Sequence, residues 1–200
     1  MPFLTYGTVN LFSGTLVFTR GVIQDAGSTV LAGGILDSAW YALNGGTLDL
    51  GDNGFVLATA GLNIAQGASL WGVGIVQGDL TNSGTINLGG SGEPLGLLTI
   101  SGDFTQTSTG TLILRLQKAQ NQQYDRLSVS STATLAGTLQ GVAQAGFNPV
   151  NLDEFAILTV QAGGSVVGNF NTPYTLPALG VGLSWSWVLG AGGLTLKVKQ

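Results

Sequence analysis

The segment that decides the fold runs from Gly84 to Leu139 and consists of short β-prone runs separated by glycine turns. The runs are, in order, Gly84-Thr85-Ile86-Asn87-Leu88, Leu97-Leu98-Thr99-Ile100-Ser101, Gly110-Thr111-Leu112, Tyr124-Asp125-Arg126-Leu127 and Gly137-Thr138-Leu139. An opening of glycine, threonine and an aliphatic residue keeps returning. Self-similarity at short intervals is typical of a coiled-repeat architecture.

Apolar side chains alternate with others inside these runs, as on a strand with one buried face. The residues predicted to share the apolar face are Leu98, Ile100, Leu112, Leu114, Leu116, Leu127 and Val129. Strands this short bury too little surface to be stable alone. We therefore expect each strand to stack on equivalent strands above and below it, around one continuous core.

The composition favours a buried structure with few charges. The 200 residues include 33 glycines, 44% are apolar, 8% are charged and the net charge is −4. This apolar content argues against disorder. The six cations are scattered, so we expect no nucleic-acid partner. Glycine and proline interrupt the long uncharged run between Glu154 and Lys197, so no membrane span is expected either.

The motifs of the central segment resemble those of autotransporter-associated β-strand repeat proteins, from about Gly45 to the C-terminus. The matching motifs are Asn82-Ser83-Gly84-Thr85, Leu98-Thr99-Ile100-Ser101-Gly102-Asp103-Phe104-Thr105-Gln106, Gly110-Thr111-Leu112 and Tyr124-Asp125-Arg126-Leu127. Downstream, Asp153-Glu154-Phe155-Ala156-Ile157-Leu158 and the segment 176–185 resemble the closing part of the same proteins. The resemblance implies a secreted or surface-displayed right-handed β-helix. It implies no particular activity, because a fold does not determine a function.

We predict an all-β chain that folds as a right-handed parallel β-helix, or β-solenoid, with a C-terminal cap resembling a β-hairpin. Coils of roughly 20 to 25 residues would fill positions 1–182, about eight in all, and give a rod roughly 40 Å long. Residues 1–20 are interpreted as a first coil or an N-terminal cap, since four aromatic residues lie there. Residues 183–200 are interpreted as the hairpin, because two alternating runs flank Gly190-Ala191-Gly192-Gly193.

The sequence lacks histidine and cysteine, which excludes the Ser-His, Cys-His and thiolate-zinc constellations. We therefore predict no enzyme, no cofactor and no metal site. Asp49 and Asp52 superficially resemble a calcium loop, but Gly51 stands where a ligand is needed, so a corner turn is preferred. The segment 89–94 is likewise interpreted as a turn and not as a calcium-binding repeat.

Carboxylates are the remaining candidates for catalytic groups, and the sequence favours a structural role for each of them. Asp125, between Tyr124 and Arg126, is predicted to accept backbone hydrogen bonds in a turn. Adjacent Asp153 and Glu154 would point to opposite faces of a strand and would not flank one glycosidic bond.

The tryptophans and the most polar window are the remaining candidates for contact with a partner. Trp40, Trp71, Trp185 and Trp187 are the residues that a sugar-binding protein would use, but packing in a core or cap is the preferred interpretation. The window from Gln117 to Gln123 is predicted to be a loop projecting from a coil. Its candidate contact residues are Gln117, Lys118, Gln120, Asn121, Gln122 and Gln123.

These features favour a non-enzymatic structural or adhesive module of a secreted or surface-displayed protein. Unpaired strand edges at the ends of a β-helix favour end-to-end self-association into oligomers or fibres. A cell-surface glycan or matrix is a further possible partner. The alternative is a carbohydrate-binding or carbohydrate-active β-helix. The segment Met1–Tyr6 lacks the features of a signal peptide, so an exported form is expected to be mature or a fragment.

Overall fold

Period-two apolar runs become short strands, and the glycine-rich segments between them become corners. In the computed structural model, which describes residues 1–89 and 94–200, three strands make one coil and successive coils stack in parallel. The predicted all-β parallel β-helix is confirmed.

The strands of coils 1 to 4 follow one another with little chain between them. They are β1 (Phe3–Thr5), β2 (Thr8–Asn10), β3 (Thr15–Phe18), β4 (Val22–Gln24), β5 (Ser28–Val30), β6 (Ile35–Ser38), β7 (Tyr41–Leu43), β8 (Thr47–Asp49), β9 (Gly54–Ala58), β10 (Leu62–Ile64), β11 (Ser69–Trp71) and β12 (Gly74–Gln77).

Coils 5 to 7 include longer strands, among them Thr111–Lys118 and Glu154–Val160, and more chain lies between some of their strands. Their strands are β13 (Leu80–Asn82), β14 (Thr85–Asn87), β15 (Leu97–Ser101), β16 (Phe104–Gln106), β17 (Thr111–Lys118), β18 (Gln123–Tyr124), β19 (Arg126–Val129), β20 (Thr132–Leu135), β21 (Thr138–Ala143) and β22 (Glu154–Val160). A single 3₁₀ turn, Gln120–Gln122, precedes β18, and the chain ends with β23 (Ser165–Gly168), β24 (Ser184–Gly190) and β25 (Gly193–Lys199).

Three sheets run along the rod. Sheet A contains the first strand of every coil and ends at β23, sheet B contains the second strands, and sheet C contains the third. The strands of successive coils are parallel and in register; in sheet A, for example, Val22 pairs with both Phe3 and Tyr41. Three strands depart from this pattern, because β18, β24 and β25 pair antiparallel.

The inward residues of the three sheets form one continuous apolar core. All seven residues predicted to share the apolar face are buried. The inward positions also hold polar residues that the sequence analysis did not anticipate, among them Gln24, Asn82 and Gln106. Their amides donate to the backbone carbonyls of Thr47, Thr111 and Thr138 in the next coil, at 3.0, 3.1 and 3.0 Å respectively. These amides therefore link adjacent coils at the corner between sheets A and B.

Glycine is required where the corners of adjacent coils touch. Gly27 and Gly46 occupy equivalent corners with φ of +75° and +74°. A Cβ atom on Gly46 would lie 2.1 Å from the carbonyl oxygen of Gly27. Both the backbone conformation and the close stacking therefore exclude larger residues at this position.

Coil length increases along the chain, which the uniform period predicted from the sequence did not anticipate. Phe3, Val22, Tyr41, Leu62 and Leu80 are equivalent positions of sheet A, and this spacing matches a short solenoid repeat. The next equivalent positions are Phe104, Ala133 and Val166, so each of these coils is longer than the one before it. Within the described residues the rod therefore has seven coils, followed by β23 and the β24–β25 hairpin, and its eight-stranded sheet A is roughly 34 Å long at about 4.8 Å per strand.

The C-terminal hairpin is present where the sequence predicted it. Strands β24 and β25 pair through Trp185 with Val198 and Trp187 with Leu196. Strand β25 also pairs antiparallel with β22, so the hairpin extends sheet C. No helix within residues 1–89 and 94–200 combines the length and the apolar character that crossing a membrane requires.

Candidate association surface

The first coil leaves one end of the rod open. Within the described residues, β1, β2 and β3 are the terminal strands of their sheets and pair on one side, with β4, β5 and β6. The other edge of each of these three strands faces away from coil 2. Residues 1–20 therefore form one complete coil, coil 1, which pairs with coil 2.

The backbone of coil 1 directs hydrogen-bonding groups toward this open end. Phe3 donates to the Gly21 carbonyl at 3.0 Å, and the Thr5 carbonyl accepts from Asp25 at 3.1 Å, so both residues face coil 2. Because N–H and C=O groups alternate in direction along a strand, those of Leu4 point to the open end. The same alternation directs the backbone groups of Val17 outward, since Gly14 and Phe18 both accept hydrogen bonds from coil 2.

The inner layer of coil 1 is partly uncovered at Phe3. Phe3 and Thr5 are the inward residues of sheet A in this coil; the exposed fraction of Phe3 is 40%, whereas that of Thr5 is 7%. The equivalents of Phe3 in the next two coils, Val22 and Tyr41, are 2% and 0% exposed. Phe3 stacks on Phe18 with ring centroids 4.5 Å apart, so the two rings form an apolar floor at the mouth of the core.

Coil 1 exposes several large apolar side chains and carries few charges. The exposed large apolar residues of coil 1 are Met1, Phe3, Leu4, Tyr6, Phe12 and Val17. A depression of about 370 Å³ lies between the chain start and the segment Val17–Gly21. Arg20 is the one charged side chain among residues 1–20. We define the open end as the surface formed by residues 1–20.

Aromatic residues cover part of the opposite end of the rod, where β23 and β24 are the edge strands of sheets A and C. Phe170 and Tyr174 are buried and their rings pack edge to face. The Trp185 indole donates to the Pro177 carbonyl at 2.8 Å and contacts the rings of Phe147 and Phe155. Sheet B has no strand beyond β21 in the described chain, where Thr175 forms one isolated bridge to Gln140.

The predicted contact window does not form the simple loop that the sequence suggested. Gln117 and Lys118 belong to β17, and Gln123 pairs back on Lys118 in β18. The prediction failed because polarity alone does not distinguish a loop from an exposed hairpin. Gln120, Asn121 and Gln122 form the turn between these strands, and the latter two have positive φ.

Three side chains of this window have partners within the chain. Gln117 donates to the Ala145 carbonyl at 2.7 Å, and Gln120 donates to Asp153 Oδ1 at 2.9 Å. Gln122 Oε1 accepts from the guanidinium of Arg126. The window therefore joins coil 6 to the chain that follows, and a partner contact here stays a prediction.

Asp125 accepts backbone hydrogen bonds as predicted, and it also has an ionic partner that the sequence analysis missed. Its Oδ1 accepts from the Gly96 amide at 3.0 Å and its Oδ2 from the Arg115 amide at 2.8 Å. The Arg115 guanidinium donates to both carboxylate oxygens, at 2.8 and 2.9 Å. It also binds the carbonyls of Leu88 and Pro94. Asp125 is fully buried, so this cluster ties together chain segments around it.

The other acidic candidates also bind groups within the chain. Asp153 accepts from the Val150 amide, whereas Glu154 is exposed and pairs with Lys197 at 2.6 Å, so the predicted divergence of the two carboxylates is confirmed. Asp49 accepts from the Gly51 amide at 2.9 Å, as expected for a corner turn. The turn predicted for 89–94 lies mostly outside the described residues. The described part of the chain contains no cluster of three or more acidic groups that could hold a metal ion.

The four tryptophans do not converge on one surface. Trp40 stands over the corner at Gly21, and Trp71 lies half-buried on the outward face of sheet B. Trp185 packs against aromatic rings as predicted for a cap. Trp187 is more exposed and contacts Tyr174 with ring centroids 4.5 Å apart.

The comparisons with known proteins identify neither a family nor a function. No family model matches the chain. The chain is similar to the uncharacterized protein YuaQ of Escherichia coli (strain K12), with 33% identity over 103 residues. This match covers 49% of the chain and 7% of that protein, so the chain corresponds to a small part of its relative's length.

Proposed function

We propose that the chain is a non-enzymatic structural and adhesive module of a secreted or surface-displayed bacterial protein, and that it self-associates through an end of its rod. The observation that carries this proposal is the stack of in-register coils around one apolar core, in which the strands of coil 1 pair on one side alone within the described residues. Unpaired strand edges favour the addition of further strands.

The location outside the cell rests on the resemblance to autotransporter-associated repeats. The low charge and the in-register coils are compatible with an elongated spacer that holds its shape without disulfides. The distribution of carboxylates supports a non-enzymatic role, because Asp125 is buried in an ion pair and Asp153 and Glu154 face different partners.

Labelling of intact cells tests the proposed location. An antiserum raised against the folded chain should label intact cells of the producing organism, and external protease should remove the signal. A cytoplasmic protein serves as the control for cell integrity. Labelling that requires permeabilised cells would contradict the proposal.

A glycan-binding role is the second candidate, and one observation favours it. A groove of about 320 Å³ lies on the outward face of sheet B between coils 5 and 7. Amide side chains of Asn87, Gln140 and Gln144 line it beside the apolar Ile113 and Val142. Polar groups beside an apolar platform are typical of small-molecule sites, including those for sugars.

A glycan array tests this second candidate. Binding that is lost in Gln140→Ala but retained in Thr105→Ala, an outward change on sheet A, would support it. An array without signal for the wild-type chain would exclude glycan binding for the sugars tested.

A further inference from the structure

The groove on the outward face of sheet B belongs to a longer polar surface that runs along the rod. In coils 2 to 7, the first residue of each parallel strand of this sheet carries a hydroxyl group. In register, these residues are Ser28, Thr47, Ser69, Thr85, Thr111 and Thr138, and we call them the hydroxyl row. The equivalent outward row of sheet A is mixed and begins, in coils 2 to 4, with Ile23, Ala42 and Asn63.

Strand propensity does not explain the hydroxyl row. Threonine is enriched in strands, but valine and isoleucine are enriched as well, and neither occurs in the row. Ser28 and Ser69 lack the branched shape that favours strands, so the hydroxyl is the group that all six positions share. All six side chains are half-buried or exposed. Within residues 1–89 and 94–200, their hydroxyl groups have no hydrogen-bond partner, so they are available to a ligand.

A second outward row lies beside the hydroxyl row, two residues further along each strand. It contains Trp71 and Asn87 in neighbouring coils, and Ile113 and Gln140 continue it through the groove. Two residues of a strand span about 7 Å, so one ligand can contact both rows. Trp71 is half-buried, which leaves part of its indole accessible beside the hydroxyls.

We propose that sheet B binds a linear, uncharged, β-linked polysaccharide that lies along the rod axis with one part in the groove. This proposal rests on the glycan binding described above as the second candidate, and it specifies the form of the ligand. Successive coils are about 4.8 Å apart, which is close to the rise per sugar of an extended β-linked chain. Each further sugar of such a chain therefore meets a further member of the hydroxyl row.

The chemistry of the two rows favours a sugar polymer over a charged one. A hydroxyl group both donates and accepts hydrogen bonds, so a row of hydroxyls suits a ligand that is itself rich in hydroxyls. Trp71 adds an aromatic ring with an apolar face and a polar edge, which suits the apolar faces of sugar rings. The hydroxyl row is uncharged and the net charge of the chain is −4, so a nucleic acid or a polyuronate gains no attraction.

Calorimetric titration with neutral oligosaccharides of defined length tests the extended binding mode. The disaccharide cellobiose should occupy the groove, whose volume of about 320 Å³ is at the lower end of the range for small-molecule sites. Cellohexaose should bind at least about tenfold more tightly, because the longer chain also reaches the hydroxyl row. Equal affinity for the two lengths would overturn the extended mode and leave glycan binding in the groove intact.

A double variant outside the groove separates the hydroxyl row from the groove itself. Thr47→Val combined with Ser69→Ala removes two hydroxyls in coils 3 and 4 and no hydrogen bond within the described chain. It should weaken cellohexaose binding about tenfold and leave cellobiose binding unchanged. Thr105→Val is the matched control, since Thr105 is an outward, half-buried residue of sheet A, and it should change neither affinity. Unchanged thermal unfolding would show that both variants are folded.

The remaining outcomes also decide the matter. Full cellohexaose affinity in the double variant, or an equal loss in Thr105→Val, would overturn the role of the hydroxyl row. A wild-type chain that binds neither oligosaccharide would overturn this inference, while the glycan array decides separately whether other sugars bind in the groove. None of these outcomes bears on the cell-surface labelling that tests the first proposed function.

Discussion

The first four coils are regular and begin with strands that pair on one side, whereas the last coils are irregular and end where aromatic side chains cover part of the core. The early coils are short and nearly equal in length, and tight glycine corners connect their strands. The late coils contain the β17–β18 hairpin, the Arg115–Asp125 ion pair and the aromatic packing around Trp185. The regular coils thus contain few groups besides strands and corners. The segments inserted in the late coils supply the aromatic side chains that cover the core at the C-terminal end.

The largest expected effect compares equivalent inward rings in the two regions. Phe104→Ala removes a fully buried ring and should lower the free energy of unfolding by about 3–5 kcal/mol. Phe3→Ala, at the same position of coil 1, should lower it by about 1–2 kcal/mol in dilute protein, because much of the ring is already exposed. Urea denaturation of both variants measures the difference. Equal losses would contradict an open first coil.

The Arg115–Asp125 ion pair allows the stability of the late coils to be tested separately. Asp125→Ala leaves the Arg115 guanidinium without its carboxylate in a largely buried site, so we expect a loss of about 3–4 kcal/mol. Asp25→Ala is the control in the early region, since Asp25 accepts an exposed hydrogen bond from Asn44. That change should cost about 0.5 kcal/mol or less. Similar values for the two variants would show that the ion pair does not stabilise the late coils.

The free energy of unfolding should fall at alkaline pH because of Tyr41, which lies in the early coils. Burial raises the pKa of Tyr41 from 10.0 to about 12, opposed by a hydrogen bond with Thr29. The folded chain holds this proton more tightly than the unfolded chain. The resulting stability is therefore complete below pH 10 and is lost as the pH rises from about 10 to 12.

The total loss from Tyr41 should be about 2–3 kcal/mol, since one pKa unit corresponds to about 1.4 kcal/mol. Urea midpoints measured between pH 9 and 12 follow it. Tyr41→Phe serves as the control, because it removes the titrating group while Thr29 still donates to Gln24 Oε1 at 2.8 Å. A slope that persists unchanged in Tyr41→Phe would assign the effect to other groups.

The smallest expected effect lies on the surface of the late region. Glu154 and Lys197 pair at 2.6 Å across β22 and β25, but both side chains are partly exposed. Glu154→Gln should change the free energy of unfolding by about 0.5 kcal/mol or less, and added salt should reduce the difference. A loss above about 2 kcal/mol would mean that this pair holds the hairpin on sheet C.

Much of the fold could be predicted from sequence because its determinants are local. Alternation placed Leu112, Leu114 and Leu116 on the buried face, and glycines marked the corners. The hairpin followed from two alternating runs around Gly190–Gly193. The length of the late coils could not be predicted, since insertions at corners do not disturb the alternation inside strands.

The candidate surfaces were harder to predict, because they depend on contacts between distant segments. Arg115 and Asp125 come together through the turn of the β17–β18 hairpin, and Arg115 lies on the outward face of its strand. The pattern Phe104-Thr105-Gln106 before a corner gave a usable signal for inward amides, since Gln106 keeps the phase of the buried Phe104. The sequence predicted that a solenoid has ends with unpaired strand edges. It did not predict that aromatic side chains would cover the core at the C-terminal end and not at coil 1.

Hydrogen exchange measured as a function of protein concentration tests the central claim, that association uses the first coil. At low concentration, the amides of Leu4, Thr8, Asn10 and Val17 should exchange quickly, while those of β7 and β25 stay protected. Raising the concentration should protect the four first-coil amides and leave β23 and β24 unchanged. Protection that instead appears in β23 or β24, or first-coil exchange that is independent of concentration, would contradict the account.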